Sequence, residues 1–427
     1  MKPAAETPRL DVAAVRGRYP ALERQRDGRR LVYLDSACTA LKSKKMAGAV
    51  AEFYSDYGGC GGKRSTHRLS RAVEELFDEA RRAVARFLNA DSAQEIVFTS
   101  GTTEAANLVA ASFPYDEGRN EVVITDLEHN AVALPFVEAA ARGEIRLKVC
   151  PSSEGRLDLE RLSSLIGERT ALVAVTHASN VIGGVTPAAE AAKIARRRGA
   201  RTFVDDAQYL GTHRENVATL GADFVAFSGH KIGGPFGVGV LWGRETELNR
   251  LRPWKVGGGT VKSVLWDGTD SAPRAVYLDA PARLEAGVPN FGGAVGLRAA
   301  ISEREELPEA ALRAHAAALV RRASQGLAKI SHIRVLGRED DMAQGSLISF
   351  APKHPDFMPA DFNIFLNNEI PGRFVAVRVG EHCAHLLHRG LAVESTVRAS
   401  FGPYNTEDEI DLYVDAVSSY AREACGA

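Results

Sequence analysis

The sequence has almost no net charge. Its 427 residues carry 53 Lys and Arg against 54 Asp and Glu, a balance of −1. No global basic field is available for nucleic acid or for an anionic membrane, although a local basic patch stays open. Cysteine is sparse: Cys38, Cys60, Cys150, Cys383 and Cys425, an odd number with no C-x-x-C pair. A disulfide framework does not suit a chain this long, and a reducing compartment does. No uncharged run approaches the ~20 apolar residues that span a bilayer, and the start MKPAAETPRLD has no apolar signal core. Internal repeats, low-complexity tracts and long blocks of like charge are missing as well. These absences leave the expectation of a cytoplasmic protein with neither nucleic acid nor membrane as partner. What is present is an ordinary globular composition, 45% apolar and 25% charged, in a length that allows two or three domains or one large one.

Strand-like and helix-like segments alternate, which predicts an α/β fold with a parallel sheet. Strands are expected at Leu31–Leu34, Glu95–Thr99, Glu121–Thr125, Ala171–Thr176, Arg201–Val204, Asp223–Ser228 and Gly237–Trp242. Glu74–Phe87 has helical periodicity, and AAEAAKIARRRGA ends in a C-cap-like Gly199. Beyond about residue 300 the texture changes. Leu307–Ile330 reads as a long Ala-rich helix. Strands are then expected at Ile333–Leu336, Ser346–Phe350, Arg373–Val379 and Thr396–Phe401, and Thr406 to Glu409 opens the last helix with a capping box. This gives an N-terminal arm over 1–30 that joins the small domain, a large α/β domain over 31–300, and a smaller α+β domain over 301–427.

Three patterns mislead. Gly61-Gly62-Lys63-Arg64-Ser65 lacks the earlier glycine of a phosphate loop, where Tyr57 stands, and has Arg64 where Ser or Thr should follow the lysine. Gly233, Gly234, Gly237 and Gly239 do not form the dinucleotide fingerprint. Glu381, His382, Cys383, His385 and His388 offer metal ligands without a clear second pair elsewhere, so no metal is expected.

Five segments, each just past an expected strand, carry the chemistry. FVAFSGHK runs from an apolar strand into Ser228, His230 and Lys231, and burial beside positive groups makes a lysine amine nucleophilic. RTFVDDAQ ends a strand at Asp205, 26 residues before that lysine, with Gln208 behind it. SGTTEAAN opens a helix with Thr102 and Thr103, an anion site by its free N–H groups. His129 follows Asp126 and Glu128, and Asn180 follows the strand ending at Thr176. Singly, each has an ordinary explanation: a solvated lysine, a helix cap, a polar surface histidine. Jointly, a phosphate cradle, a stacking histidine, an amide donor, a pyridinium carboxylate and a Schiff-base lysine describe a pocket for pyridoxal 5′-phosphate (PLP).

With these motifs in this order, the sequence resembles the class V aminotransferase group of fold-type I PLP enzymes, and within it the group II (selenocysteine-lyase-like) cysteine desulfurases. The likeness runs from about Tyr33 to the last helix, through YLDSACTA, SGTTEAANLVA, LEHNAVALPF, THASNVIGG, VDDAQ and FSGHKIGGPFGVG. RVGEHCA around Cys383 and STVRASFGPYNT around Arg398 are the most specific. The resemblance implies a large domain with a mainly parallel seven-stranded sheet between helices, a smaller α+β domain, and a homodimer. It implies that Lys231 links to the cofactor aldehyde, Asp205 pairs with the pyridine nitrogen, Gln208 bonds the ring oxygen and His129 stacks on the ring. Thr102, Thr103, Ser228 and His230 would hold the phosphate, and Asn180 would lie near the ring oxygen or the substrate. Arg398 would clamp the carboxylate of a small amino acid, with Arg378 nearby. Cys383 would attack the sulfur of L-cysteine, keep it as a persulfide, release alanine, and hand the sulfur to an acceptor protein; His382, His385 and Arg378 are near enough in sequence to support its thiolate.

Several positions depart from the family pattern. Lys63 precedes Arg64 where a histidine is usual, and Asp206 stands where glycine is common. Phe291 takes the place of a threonine that reaches across the dimer to the phosphate, and His385-Leu386-Leu387 follows Cys383-Ala384 where a proline is more usual. They surround the substrate mouth more than the cofactor, so other PLP reactions (a C–S β-lyase, an aminotransferase, an epimerase) remain alternatives, as does a sulfur carrier without catalysis. Among the cysteines, Cys150 is expected in the core, Cys425 is incidental, and Cys38 and Cys60 lie in segments near the mouth without an assigned role.

Overall fold

The computed structural model describes residues 9–62, 66–269 and 272–426. Its central sheet has seven strands in the order Ile96–Thr99, Gly239–Gly243, Phe224–Ser228, Arg201–Asp205, Thr170–Thr176, Glu121–Thr125 and Arg146–Cys150. Only Gly239–Gly243 runs antiparallel to its neighbours. Five of the strands are buried at nearly every position because both faces are covered. The two-residue period shows in the packing. Val123, Val173, Val204 and Val225 join one core with helix Ala188–Arg197, whereas Val122, Leu172, Phe203 and Phe224 join another with helices Thr102–Ser112 and Asn130–Ala141.

The C-terminal part forms a four-stranded antiparallel sheet, ordered Ile333–Val335, Leu347–Pro352, Thr396–Ser400, Arg378–Gly380. Ile348, Phe350, Val397 and Ala399 pack with side chains from helices Glu309–Leu327, Pro359–Asn368 and Glu407–Cys425. The last helix opens with the expected capping box, Thr406 accepting from Glu409 N and Glu409 from Thr406 N. Gly199 follows helix Ala188–Arg197 in the left-handed conformation, φ 70°, as expected of a C-terminal glycine.

Three expectations are corrected. The strand expected at Leu31–Leu34 does not enter the large sheet; Arg29–Tyr33 pairs in parallel with Arg373–Ala376, Leu31 opposite Phe374. The single strand expected over Arg373–Val379 is two, broken at Val377: Arg373–Ala376 belongs to a three-stranded sheet and Arg378–Gly380 to the four-stranded one. Periodicity alone cannot see a strand change sheets. Helix Arg68–Phe87 starts before Glu74 because His67 caps it, its Nδ1 accepting from Ser70 N at 3.0 Å. Lys63, Arg64 and Ser65 lie outside the described residues. Among the described residues, no helix is long and apolar enough to cross a membrane.

Candidate active site

A cavity of about 230 Å³ opens at the C-terminal ends of the parallel strands, facing Arg378, His382, Cys383 and Arg398 from the C-terminal part. Every residue expected at the site lines it: Thr102, Thr103, His129, Asn180, Asp205, Gln208, Ser228, His230, Lys231, Arg378, Cys383 and Arg398. Strand ends and the crevice between two sheets are where α/β folds place ligands.

The floor comes from two neighbouring strands. Phe224–Ser228 is buried throughout and delivers Ser228, after which the tight turn Gly229–Ile232 carries His230 and Lys231 and closes on Gly233 at φ 91°. Burial pushes the Lys231 amine down, Asp205 opposes this, and Arg398 adds to it. Asp205 ends its strand fully desolvated; burial pushes its carboxyl up and Lys231 pulls it back, while Oδ1 accepts from Ala207 N at 2.9 Å. An amine and a carboxyl thus face one cavity, with burial disfavouring the charged form of each.

The anion end is built around a close approach. A Cβ on Gly239 would lie 2.4 Å from Gly101 Cα, so glycine lets the antiparallel strand pass beneath the turn before helix Thr102–Ser112. Ser228 Oγ accepts from Thr102 N at 2.9 Å and lies 3.0 Å from Thr102 Oγ1. Two hydroxyls and a helix N-terminus converge there.

His129 both caps helix Asn130–Ala141 and lines the cavity. Its Nδ1 accepts from Ala131 N at 3.0 Å, and burial, Lys231 and Arg398 lower its pKa to about 3, so the ring is neutral. His230 is lowered to about 4 by burial, Lys231 and Lys42. Gln208 donates to the Ala37 carbonyl at 2.7 Å. Asn180 ties the two sides together: its Nδ2 donates to the His382 carbonyl at 2.8 Å and its carbonyl accepts from Arg398 Nη1 at 3.0 Å.

Arg398 is only 3% exposed, and its second partner is Asp35, at 3.3 Å. Asp35 also accepts from Arg378 Nη2 at 2.8 Å. This carboxylate orders both guanidinium groups, and no role had been expected for it, although YLDSACTA contains it. Cys383 is exposed on a loop in which His382 and Cys383 both adopt left-handed backbone, φ 51° and 54°. Strain of this kind collects at functional loops. The loop is pinned where Asn130 N donates to the Cys383 carbonyl at 2.7 Å.

Of the other candidate ligands near Cys383, His382 and His388 both meet Thr396 Oγ1, and His385 pairs with Glu381. Asp206 is buried and pairs with His177 at 2.8 Å, which also meets Glu215 at 2.9 Å; burial lowers the His177 pKa, but the two carboxylates prevail and raise it to about 9. Phe291 packs edge-on against Phe77, away from the cavity.

This donor set fits an aromatic phosphate ester carrying an aldehyde. Among the described residues His230 Nδ1 and Arg398 Nε, both buried and both on residues of the cavity wall, have no hydrogen-bond partner. The amine–carboxylate pair, the neutral histidine and the hydroxyl-lined helix end match the parts of PLP. Fold and site together define a PLP-dependent enzyme. The chain belongs to the class-V aminotransferase family, whose model matches residues 32–413. A cysteine desulfurase of Enterobacter sp. is 39% identical over 407 residues, 94% of this chain and 96% of that protein. A probable cysteine desulfurase of Mycobacterium leprae is 37% identical over 415 residues; the match takes 96% of this chain but only 66% of that longer protein. The crystal structure of the cysteine desulfurase CsdA from Escherichia coli superposes with TM-score 0.86 at 34% identity, covering 98% of this chain and all of that one.

Proposed function

We propose that this chain is a cysteine desulfurase, converting L-cysteine to L-alanine with the sulfur held as a persulfide on Cys383. The observation that carries the reading is that Cys383, Lys231 and Arg398 line one cavity. The relatives and the solved structure share the same activity by name. PLP, when bound, supplies the electron sink for a substrate carbanion.

The residues divide the remaining work. Arg398, anchored by Asp35 and Asn180, presents its guanidinium to the substrate carboxylate, for which a fork of donors is suited. Lys231, its amine disfavoured as an ammonium by burial, takes the α-proton and returns a proton to the product. Asp205, at the floor with Lys231, would hold the pyridine nitrogen of PLP, and neutral His129 would stack on its ring. Thr102, Thr103, Ser228 and His230 would hold the phosphate, and Gln208 the ring oxygen. Cys383 as thiolate attacks the substrate Sγ; the sulfur–sulfur bond forms, the carbon–sulfur bond breaks, and Cβ is protonated to give alanine.

The same proposal includes a homodimer, a sulfur-acceptor protein and a cytoplasmic site, the last because a free thiol at Cys383 needs a reducing compartment. It also keeps the division into an arm, 1–30, a large part, 31–300, and a small part, 301–427, although strand Arg29–Tyr33 pairs across it with Arg373–Ala376 of the small part. The arm's contacts support this: Tyr19 packs edge-on to Tyr404 at 4.7 Å and Arg16 pairs with Glu409 at 2.9 Å.

The test gives PLP-loaded protein L-cysteine and a reductant and measures alanine and sulfide. Equal yields of both, lost in Cys383→Ala while the yellow colour stays, are expected. Pyruvate and ammonia in place of alanine, or full turnover by Cys383→Ala, would replace this reading with a β-lyase.

A further inference from the structure

Two cysteines line the cavity, and the proposed reaction uses one. Cys38 is the other. It lies in a turn held from several sides. Its N–H donates to the Asp35 carbonyl at 3.0 Å. The preceding residue, Ala37, donates to Ser400 Oγ at 2.8 Å and accepts from Gln208 at 2.7 Å. The following residue, Thr39, donates through Oγ1 to the His230 carbonyl at 3.1 Å. Cys38 is therefore a half-buried thiol fixed between the Lys231 turn and the Arg398 strand. Cys383 is the opposite: exposed, with its side chain free of hydrogen bonds among the described residues. Lys231 lines the same cavity as both thiols, and each thiol opposes the lowering of its amine pKa by burial. Cys38 likewise favours the charged forms of Lys42, Arg378 and Arg398.

We propose that Cys38 is a resolving thiol: when no acceptor collects the sulfur, it attacks the Cys383 persulfide, expels hydrosulfide and closes a Cys38–Cys383 disulfide. The inference rests on the desulfurase reading for the origin of the persulfide. The step balances without an added oxidant. Cys38 sulfur attacks Cys383 Sγ, and a new bond joins the two. The bond from Sγ to the outer sulfur breaks, and its electron pair leaves with that sulfur, which departs as hydrosulfide with one proton. The outer sulfur is reduced, the Cys38 thiol is oxidised, and Cys383 Sγ keeps its oxidation level as it passes from persulfide to disulfide. A dithiol reductant restores them.

Three physical points favour this course. A disulfide needs Cα atoms within about 7 Å, and both cysteines line one cavity of only about 230 Å³. Hydrogen sulfide is more acidic than an alkyl thiol, and the sulfur whose conjugate acid is more acidic leaves faster, here as hydrosulfide. Negative charge passes from sulfur to sulfur throughout, and it does so among four basic side chains. Without an acceptor the enzyme would stop itself after one sulfur.

The experiment uses the full-length, PLP-loaded protein under anaerobic conditions. One arm receives sodium polysulfide, which persulfidates the exposed Cys383 without turnover. The other receives L-cysteine. Free thiols are then blocked and the non-reduced digest is read by mass spectrometry. A peptide pair joining Cys38 to Cys383, removed by dithiothreitol, is expected in both arms. In Cys38→Ser the persulfide on Cys383 should persist with no such pair. A wild-type persulfide that lasts as long as that of Cys38→Ser overturns the inference, and so does a link from Cys383 to exposed Cys60. A cross-link in the polysulfide arm, with neither alanine nor cross-link in the cysteine arm, supports Cys38 as the resolving thiol and overturns the desulfurase reading instead.

Discussion

Replacing Asp35 with alanine probes whether one buried carboxylate positions the substrate clamp. Its two ion pairs are unequal. Arg378 lies 2.8 Å away, but its side chain is 46% exposed. Exposed pairs of this kind contribute about 0–1 kcal/mol. Arg398 lies 3.3 Å away with a side chain 3% exposed, against 11% for Asp35. Removing one partner of a buried pair costs about 3–5 kcal/mol, because the other charge stays behind unpaired. The length of this contact, and the bond Arg398 keeps to the Asn180 carbonyl at 3.0 Å, favour the lower end. The expected loss is about 3 kcal/mol, read by urea denaturation at neutral pH. Burial already disfavours the charged form of Arg398 and Asp35 restores it, so the same variant should raise KM for L-cysteine more than it lowers kcat. Asp35→Ala with Arg398→Ala closes a double-mutant cycle, in which a coupling of about 2 kcal/mol is expected. A loss under about 1 kcal/mol together with additive single effects would refute the argument.

Two further outcomes follow from the same geometry. Burial raises the Glu128 carboxyl from its ordinary range to about 8, against hydrogen bonds from Thr125 and Thr176 that lower it. The folded state therefore holds a proton the unfolded chain has lost; this stability is complete below the ordinary carboxyl pKa and disappears as pH rises through about 8. Glu128→Gln keeps an oxygen for Thr125 Oγ1 and Thr176 N and should flatten the stability curve over that window; an unchanged slope by denaturation at several pH values would contradict it. Gly239→Ala places a Cβ 2.4 Å from Gly101 Cα and 2.7 Å from the Phe227 carbonyl, both backbone atoms that cannot swing aside. A loss of about 1–3 kcal/mol is expected, with weaker PLP retention on dialysis, because the displaced turn leads directly into Thr102. Wild-type stability and retention would show that the turn yields freely.

Much of the site was legible because strands of a covered parallel sheet announce themselves. Runs such as Phe224–Ser228 and Thr170–Thr176 are apolar on both faces, and the polar residue that ends each must lie at a sheet edge. That places Ser228, Lys231, Asp205 and Asn180 together before any coordinate is known. Asp35 was invisible for the converse reason. Its importance lies in two arginines 343 and 363 residues away, and no local pattern encodes those contacts. The same holds for the strand Arg29–Tyr33, whose partner Arg373–Ala376 is supplied by the other end of the chain. Asp206 looked like an anomaly beside Asp205, and only packing reveals its partners, His177 and Glu215.

The sequence by itself determined the alternation of elements, the order of the PLP motifs and the thiol between His382 and Ala384. These are local properties, fixed by side-chain period and by what a strand end or helix start exposes. Tertiary structure decided which groups share a solvent-poor space. It set the direction in which burial and neighbouring charge move Lys231, Asp205 and His129, and it brought Asp35 to Arg398 and a second thiol, Cys38, to the cavity of Cys383. Those are contacts between segments remote in the chain, and only folding brings such segments together.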